Sequence, residues 1–75
     1  MCLGIPGRIV RIDDPARKLG TVDVAGVLRQ VNLVCTPQVA VGDWVLMHVG
    51  FAMARIDEEE AARTLQILKE LGEAL

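Results

Sequence analysis

The chain has few aromatic residues. Among its 75 residues there is no tyrosine, and tryptophan, phenylalanine and histidine each occur once. Aromatic residues make up 3% of the chain and hydrophobic residues 52%, so small aliphatic side chains must build the core. Because a chain this short buries a limited share of its surface, a deep catalytic cleft is not expected. The composition favours a compact barrel or sandwich.

Cysteine is also scarce, with one residue at position 2 and one at position 35. A single pair this far apart matches no zinc-finger spacing and is too sparse for a disulfide framework. Each cysteine must therefore be interpreted alone. Cys35 follows an apolar segment, and we expect it to be a small buried residue rather than a metal ligand.

The sequence lacks a concentrated basic region. The net charge is −2, the acidic residues gather at 57–60, and the basic residues are scattered, which argues against a nucleic-acid-binding protein. No apolar run is long enough to cross a bilayer, and the start does not resemble a signal peptide. We therefore expect a cytoplasmic protein with no membrane partner.

Alternating apolar residues and turn signals predict several strands. Residues 8–12 form the first predicted strand, and two more meet in a hairpin at Ala25-Gly26. A loop around Pro37 and Gly42 precedes a buried strand at 44–49. Residues 51–56 are either its continuation beyond a bulge or a fifth strand. The five segments are 8–12, 18–25, 27–34, 44–49 and 51–56.

The histidine lies in the predicted strand 44–49. A two-residue period places His48 on one face with Trp44 and Leu46, and Val45, Met47 and Val49 on the other. A histidine in such a strand can be a ligand or can simply bond a backbone carbonyl. Residue chemistry leaves both interpretations of His48 open.

The last segment has a helical pattern. Asp57 is a suitable N-cap, Glu60 follows three residues later, and the acidic run lies where the helix dipole favours it. An apolar stripe is expected at Ala61, Leu65, Leu68 and Leu71. The pattern predicts a single mainly β domain spanning 1–75, with a small five-strand barrel at 1–56 and one helix at 57–74.

The second residue can carry chemistry. Removal of Met1 would leave Cys2 with an α-amine beside its thiol, and a neighbouring ammonium favours the thiolate. Thiolate and amine could then bind a soft metal together. The alternative is an incidental cysteine at a frayed terminus. These residues alone do not decide between the two.

Three stretches together resemble the HypC family of [NiFe]-hydrogenase maturation chaperones. They are MCLGIPGRI at 1–9, VDVAGVLR at 22–29 and GDWVLMHVGFA at 42–52. The first fixes a cysteine directly after the initiator methionine, and the last ends in His-Val-Gly-Phe-Ala. The likeness covers nearly the whole chain.

The resemblance implies an OB-like barrel with a C-terminal helix and the function of an accessory chaperone, not an enzyme with catalytic residues. Family members bind the scaffold protein HypD and then the precursor of the hydrogenase large subunit. They help deliver iron carrying cyanide and carbon monoxide, so no tightly held cofactor is expected in the isolated chain. By position, Cys2 and His48 would be transient iron ligands. The resemblance further implies partner contacts by Cys2, Leu3, Gly4, Ile5, Pro6, Gly7, Gly50 and Phe51.

Two other classes of function can be compared with this one. An OB-type nucleic-acid module needs aromatic stacking platforms, for which only Trp44 and Phe51 are available. A thiol enzyme could pair Cys2 with His48, but so small a barrel offers no evident oxyanion site. A carrier needs only one or two ligands, because a closed four-ligand site would hold its metal.

Overall fold

The computed structural model describes the backbone of residues 4–74 and the side chains of residues 4–71. Five strands form a closed barrel with the order β1-β2-β3-β5-β4, and one helix follows them. The predicted small barrel with a C-terminal helix is confirmed. The elements are β1 (Ile5–Asp14), β2 (Leu19–Val24), β3 (Val27–Asn32), β4 (Trp44–His48), β5 (Phe51–Ile56) and α1 (Glu58–Ala74).

Most of the barrel is antiparallel. β1 pairs with both β2 and β4, β2 pairs with β3, and β4 pairs with β5. The parallel contact between β3 and β5 consists of one residue pair, Asn32 with Phe51. The Asn32 amide donates to the Gly50 carbonyl at 2.8 Å beside it. The barrel is therefore closed at this seam by a single short contact.

The barrel interior is aliphatic, as the scarcity of aromatic residues predicts. Val45 and Met47 alternate along β4 with half-buried residues, so one face of this strand points inward. The buried cluster consists of Ile9, Val22, Val31, Leu33, Val45, Met47 and Ala52. Packing of small branched side chains in this cluster excludes water from the barrel centre.

Strand β1 is longer than the predicted segment 8–12, which was wrong at both ends. Pro6 and Gly7 belong to the strand and are buried. A Cβ atom at Gly7 would lie 2.8 Å from the Met47 sulfur and 3.3 Å from Val22. Gly7 is therefore a packing residue, since a side chain here would displace the core.

Near the other end of β1, the Asp13 carboxylate accepts hydrogen bonds from neighbouring side chains. The Thr21 hydroxyl donates to Asp13 at 2.6 Å, and the Arg11 guanidinium also donates to it. These two hydrogen bonds, with the charge of Arg11, hold the pKa of the Asp13 carboxyl below its usual range. The cluster ties β1 to β2.

Two tight turns connect the strands of two hairpins, β2 with β3 and β4 with β5. Ala25 and Gly26 have φ values of 50° and 90°, and Val49 and Gly50 have values of 52° and 81°. Positive φ at both central residues is the requirement of a type I′ hairpin turn. The predicted hairpin at Ala25-Gly26 is confirmed. Residues 51–56 form the fifth strand, one of the two predicted alternatives.

Helix α1 begins as predicted. The Asp57 carboxylate accepts a hydrogen bond from the Glu60 amide at 2.7 Å, which caps the first turn. Ala61 is fully buried where the helix contacts the barrel, and α1 lies against β1 and β4. The predicted stripe is wrong at its end, because Leu71 is 52% exposed. The barrel does not cover the helix at Leu71.

Candidate functional site

A groove of about 380 Å³ opens where β1 begins and β4 ends. Its apolar lining includes Ile5, Val27 and Val49, which are all substantially exposed. Arg29 and His48 are the ionisable residues among those that line it. We call this the mouth groove, and its full lining is Ile5, Val24, Val27, Arg29, Met47, His48, Val49 and Gly50.

His48 is the last residue of β4 and lies at the mouth groove. Its side chain is half-buried, and it faces Phe51 across the β4–β5 pair. Within residues 4–74 no side-chain hydrogen bond holds the imidazole, so the alternative of a ring bonded to a backbone carbonyl finds no support there. With respect to the described residues, the imidazole can donate from one ring nitrogen and accept a hydrogen bond or bind a metal through the other.

The chain enters the barrel next to this histidine. Ile5, the first residue of β1, pairs with Met47, the neighbour of His48. Gly4 is half-buried, and a Cβ atom there would lie 3.1 Å from the Leu46 side chain. Cys2 and Leu3, two of the expected site residues, lie outside the described residues. The structure therefore describes the surface that the N-terminal segment leads to.

The expected partner residues fall into two groups. Ile5, Gly50 and Phe51 are exposed near the mouth groove, where another protein can reach them. Pro6 and Gly7 are buried, so their side-chain positions serve barrel packing. A role in partner binding stays a prediction for all of these residues.

Val49 is a residue of the site that sequence analysis missed. It was predicted to be the last residue of a strand at 44–49, on the same face as Val45 and Met47, which is wrong because β4 ends at His48 and Val49 lies in the turn. The side chain is 81% exposed. A β-branched residue with positive φ is a genuine outlier, and the left-handed conformation costs about 1–2 kcal/mol. The Val-Gly pair between two apolar segments was the available sequence signal for this turn.

Cys35 is exposed, which contradicts the expectation of a buried residue. It follows the end of β3, and nearby Leu33 and Thr36 are buried, with Leu33 belonging to the core cluster. Among the side chains of residues 4–71 there is no group of three or more histidine, cysteine, aspartate or glutamate residues that could hold a metal.

The two aromatic residues do not form a stacking platform. Trp44 begins β4 and pairs with Ile56, whereas Phe51 begins β5 and pairs with His48. They lie at opposite ends of the β4–β5 hairpin, roughly 13 Å apart at 3.3 Å per strand residue. This separation argues against the nucleic-acid module.

Comparison with known protein families matches residues 1–68 to the HupF/HypC family. The hydrogenase maturation factor HypC of Rhodobacter capsulatus is 55% identical over 78 residues, covering 99% of this chain and 81% of that protein. The hydrogenase maturation factor HybG of Escherichia coli K12 is 44% identical, covering 95% and 92% of the two chains. HypC of Synechocystis is 43% identical, covering 96% and 99%.

The structure defines a small β-barrel protein with one C-terminal helix and an apolar groove beside the start of β1. The family match extends over most of the sequence, and this chain belongs to the HupF/HypC family. The resemblance seen in the sequence is confirmed. Because its relatives are named maturation factors, the chain is an accessory protein rather than an enzyme. Within residues 4–74, no helix is long and apolar enough to span a membrane.

Proposed function

We propose that this chain is a cytoplasmic hydrogenase maturation chaperone that binds HypD and then the precursor of the hydrogenase large subunit. Its cargo is iron carrying cyanide and carbon monoxide, which it helps to deliver to the [NiFe] active site. One observation carries this proposal: the chain enters the barrel beside His48 and the apolar mouth groove. The names of its relatives, hydrogenase maturation factors, support the same process.

The proposal assigns Cys2 and His48 to one metal ion. Gly4, two residues after Cys2 in the sequence, directly precedes Ile5, whose strand partner Met47 adjoins His48. The proposed thiolate therefore belongs to a residue close in sequence to the strand that pairs beside His48.

The two side chains suit the proposed cargo chemically. Thiolate sulfur is a soft ligand appropriate for low-valent iron, and imidazole is a common second ligand. Two ligands leave most coordination positions for the cyanide, the carbon monoxide and the partner protein. Release then requires ligand exchange only, because ligands of the receiving protein replace those of the chaperone with no change in oxidation state.

The mouth groove supports the protein-binding half of the proposal. Contiguous exposed apolar residues on a small protein mark a contact surface, and Ile5, Val27 and Val49 line this groove together. A partner seated here would cover the start of β1 and exclude water from the Cys2 region. Exclusion of water would protect a metal ligand that is exchanged during transfer.

The test compares the two cysteines. Cys2→Ala should leave the fold intact and abolish both the stable HypD complex and hydrogenase maturation, since the thiol is the proposed link to iron and partner. Cys35→Ala is the matched control, because Cys35 is also a free thiol but lies after β3, and it should retain both. Complex formation is measured by co-purification and maturation by large-subunit processing. Normal maturation with Cys2→Ala would refute the proposal.

Non-denaturing mass spectrometry examines the cargo directly. A complex of the wild-type chain with HypD should carry the added mass of iron with its diatomic ligands, and Cys2→Ala should lack it. His48→Ala should reduce the adduct but retain part of it, because imidazole is the second ligand. An unchanged adduct in both variants would exclude these residues as ligands.

A further inference from the structure

Strand β3 has an open edge for most of its length. Within residues 4–74, its contact with β5 is the single pair at Asn32, while its other edge pairs fully with β2. The four residues from Val27 to Gln30 are all exposed, and Leu28 is 62% exposed. An exposed apolar edge of this kind is a template for another strand.

The backbone groups on this edge follow from the ladder. In an antiparallel pair, alternate residues direct their N–H and C=O groups away from the partner strand. The Asn32 amide donates outward to Gly50, so Gln30 and Leu28 direct their backbone groups to the same edge. Beyond the contact at Asn32, no described strand accepts or supplies hydrogen bonds there.

The mouth groove runs beside this open edge. Val27 and Arg29, two residues apart on β3, both line it, and Val49 and Gly50 line it from the β4–β5 turn. Arg29 forms no ion pair within the described residues, and the lining contains no carboxylate. The groove therefore presents backbone donors and acceptors, apolar side chains and the Arg29 guanidinium, which is unpaired among the side chains of residues 4–71, to the same occupant.

We propose that the open edge of β3 receives an extended segment of the protein partner, which adds a strand through hydrogen bonds to Leu28 and Gln30. The segment carries an apolar side chain that enters the mouth groove and a carboxylate that pairs with Arg29. The inference rests on the proposed function for the partner, HypD. A second copy of this chain fits less well, because pairing two β3 edges antiparallel around Arg29 brings like charges together.

The test removes one backbone N–H group. Gln30→Pro deletes an outward N–H, and proline is tolerated on an edge strand where that N–H does not serve the ladder. It should raise the dissociation constant for HypD about tenfold, the loss expected for one or two backbone hydrogen bonds. Gln30→Ala is the matched control, since it changes the same side chain, keeps the N–H, and should bind as the wild type does.

Amide hydrogen exchange provides a readout that does not depend on the proline variant folding. The amides of Leu28 and Gln30 should exchange rapidly in the free chain and at least about tenfold more slowly in the HypD complex. Arg29→Gln should also weaken the complex at low salt, with the difference from wild type shrinking as salt screens the charge.

The outcomes separate this inference from the proposed function. If the complex with HypD depends on Cys2 but the amides of Leu28 and Gln30 exchange in it as fast as in the free chain, the inference about β3 is overturned. That result leaves the proposed function standing. If the amides of Leu28 and Gln30 are protected in the chain alone, and the protection increases with its concentration, the edge binds a second copy of the chain. That result also overturns the inference. Absence of any HypD complex with the wild-type chain refutes the proposed function itself.

Discussion

At the scale of single residues, Val49 combines backbone strain with exposure. Its positive φ value costs free energy, yet its exposed side chain gains little from packing within this chain. Residues that break a local conformational rule without an internal gain are concentrated at functional sites. The position of Val49 beside His48 and the mouth groove agrees with a role in contact with a partner.

Val49→Asn should therefore stabilise the isolated chain while weakening its complex with HypD. Asparagine tolerates positive φ, and Asn-Gly is the preferred pair for a type I′ turn. The free energy of unfolding should rise by about 1 kcal/mol, which corresponds to about 4–8 °C in Tm. Urea unfolding and a thermal scan measure the stability, and titration with HypD measures the binding.

A second substitution at Val49 distinguishes the effect of backbone strain from the effect of exposed apolar surface. Val49→Thr keeps the branched shape and the strain but removes apolar surface, so it should leave the Tm nearly unchanged and still weaken the complex. If Val49→Asn stabilises the chain and binds HypD normally, the turn is only a strained connection and Val49 is not a contact residue.

Sequence reasoning predicted the placement of some single residues correctly and of others wrongly. His48 was placed in the correct strand because the alternation of β4 is regular up to that residue. Val49 was misplaced because the period of two was continued one residue too far, into a turn that has no proline or Asn-Gly signal. Cys35 was expected to be buried because Val34 precedes it, but β3 ends at Asn32, whose side chain accepts a hydrogen bond from the Val34 amide at 2.8 Å.

At the scale of elements, the helix illustrates how far a pattern predicts packing. The start of α1 follows from local chemistry, the Asp57 cap and the acidic first turn, and was therefore predictable. The extent of its buried stripe depends on where the barrel surface ends, which no local pattern records. Leu71 continues the stripe in sequence but has no barrel strand to cover it.

Ala61 and Ala62 provide a matched pair for testing how the helix docks. Ala61 is fully buried and Ala62 is exposed in the same helical turn. Ala61→Glu should destabilise the chain by several kcal/mol because a carboxylate without a partner enters the helix–barrel contact. Ala62→Glu should change stability by less than about 0.5 kcal/mol.

The single tryptophan reports on this contact. Trp44 lies in β4, one of the two strands that α1 packs against. Detachment of the helix by Ala61→Glu should shift its fluorescence toward that of a solvated indole, and Ala62→Glu should leave the spectrum unchanged. Equal stability of the two variants in urea unfolding would show that α1 contributes little to the fold.

At the scale of the whole molecule, Asp13 makes one contribution to the response of the fold to acid. Hydrogen bonds from Thr21 and Arg11 lower the pKa of this carboxyl in the folded state. A lowered folded-state pKa contributes stability that is present above the unfolded value, near 3.9, and is lost as pH falls through the folded value. The cluster that joins β1 to β2 therefore stabilises the fold at neutral pH and weakens in acid.

Asp13→Asn should be less stable than the wild type at pH 7, and the difference should shrink as pH falls below about 4. Urea unfolding at a series of pH values measures this difference. Asp14→Asn is a control, because within the described residues its carboxylate bonds the Arg17 amide in the following turn and no group of β2. A constant difference between Asp13→Asn and wild type across the acid range would contradict the assignment.

The general architecture, a small barrel followed by one helix, could be predicted from the sequence. Aliphatic composition, five short segments and a terminal helix pattern were sufficient to predict a barrel with one helix. The strand order was not predictable from these local patterns, because Ile5 with Met47 and Asn32 with Phe51 are long-range pairings. The mouth groove depends on those pairings and so could not be deduced from composition or periodicity.

The pairing of β1 with β4 also determines when this surface can exist during synthesis. Ile5 is made well before its partner Met47, so the pair cannot form until the later strand has left the ribosome. Such non-local pairing delays folding until the distant strand is available. A nascent chain therefore lacks the mouth groove until β4 has been made, and a partner that requires this groove binds only after the barrel has folded.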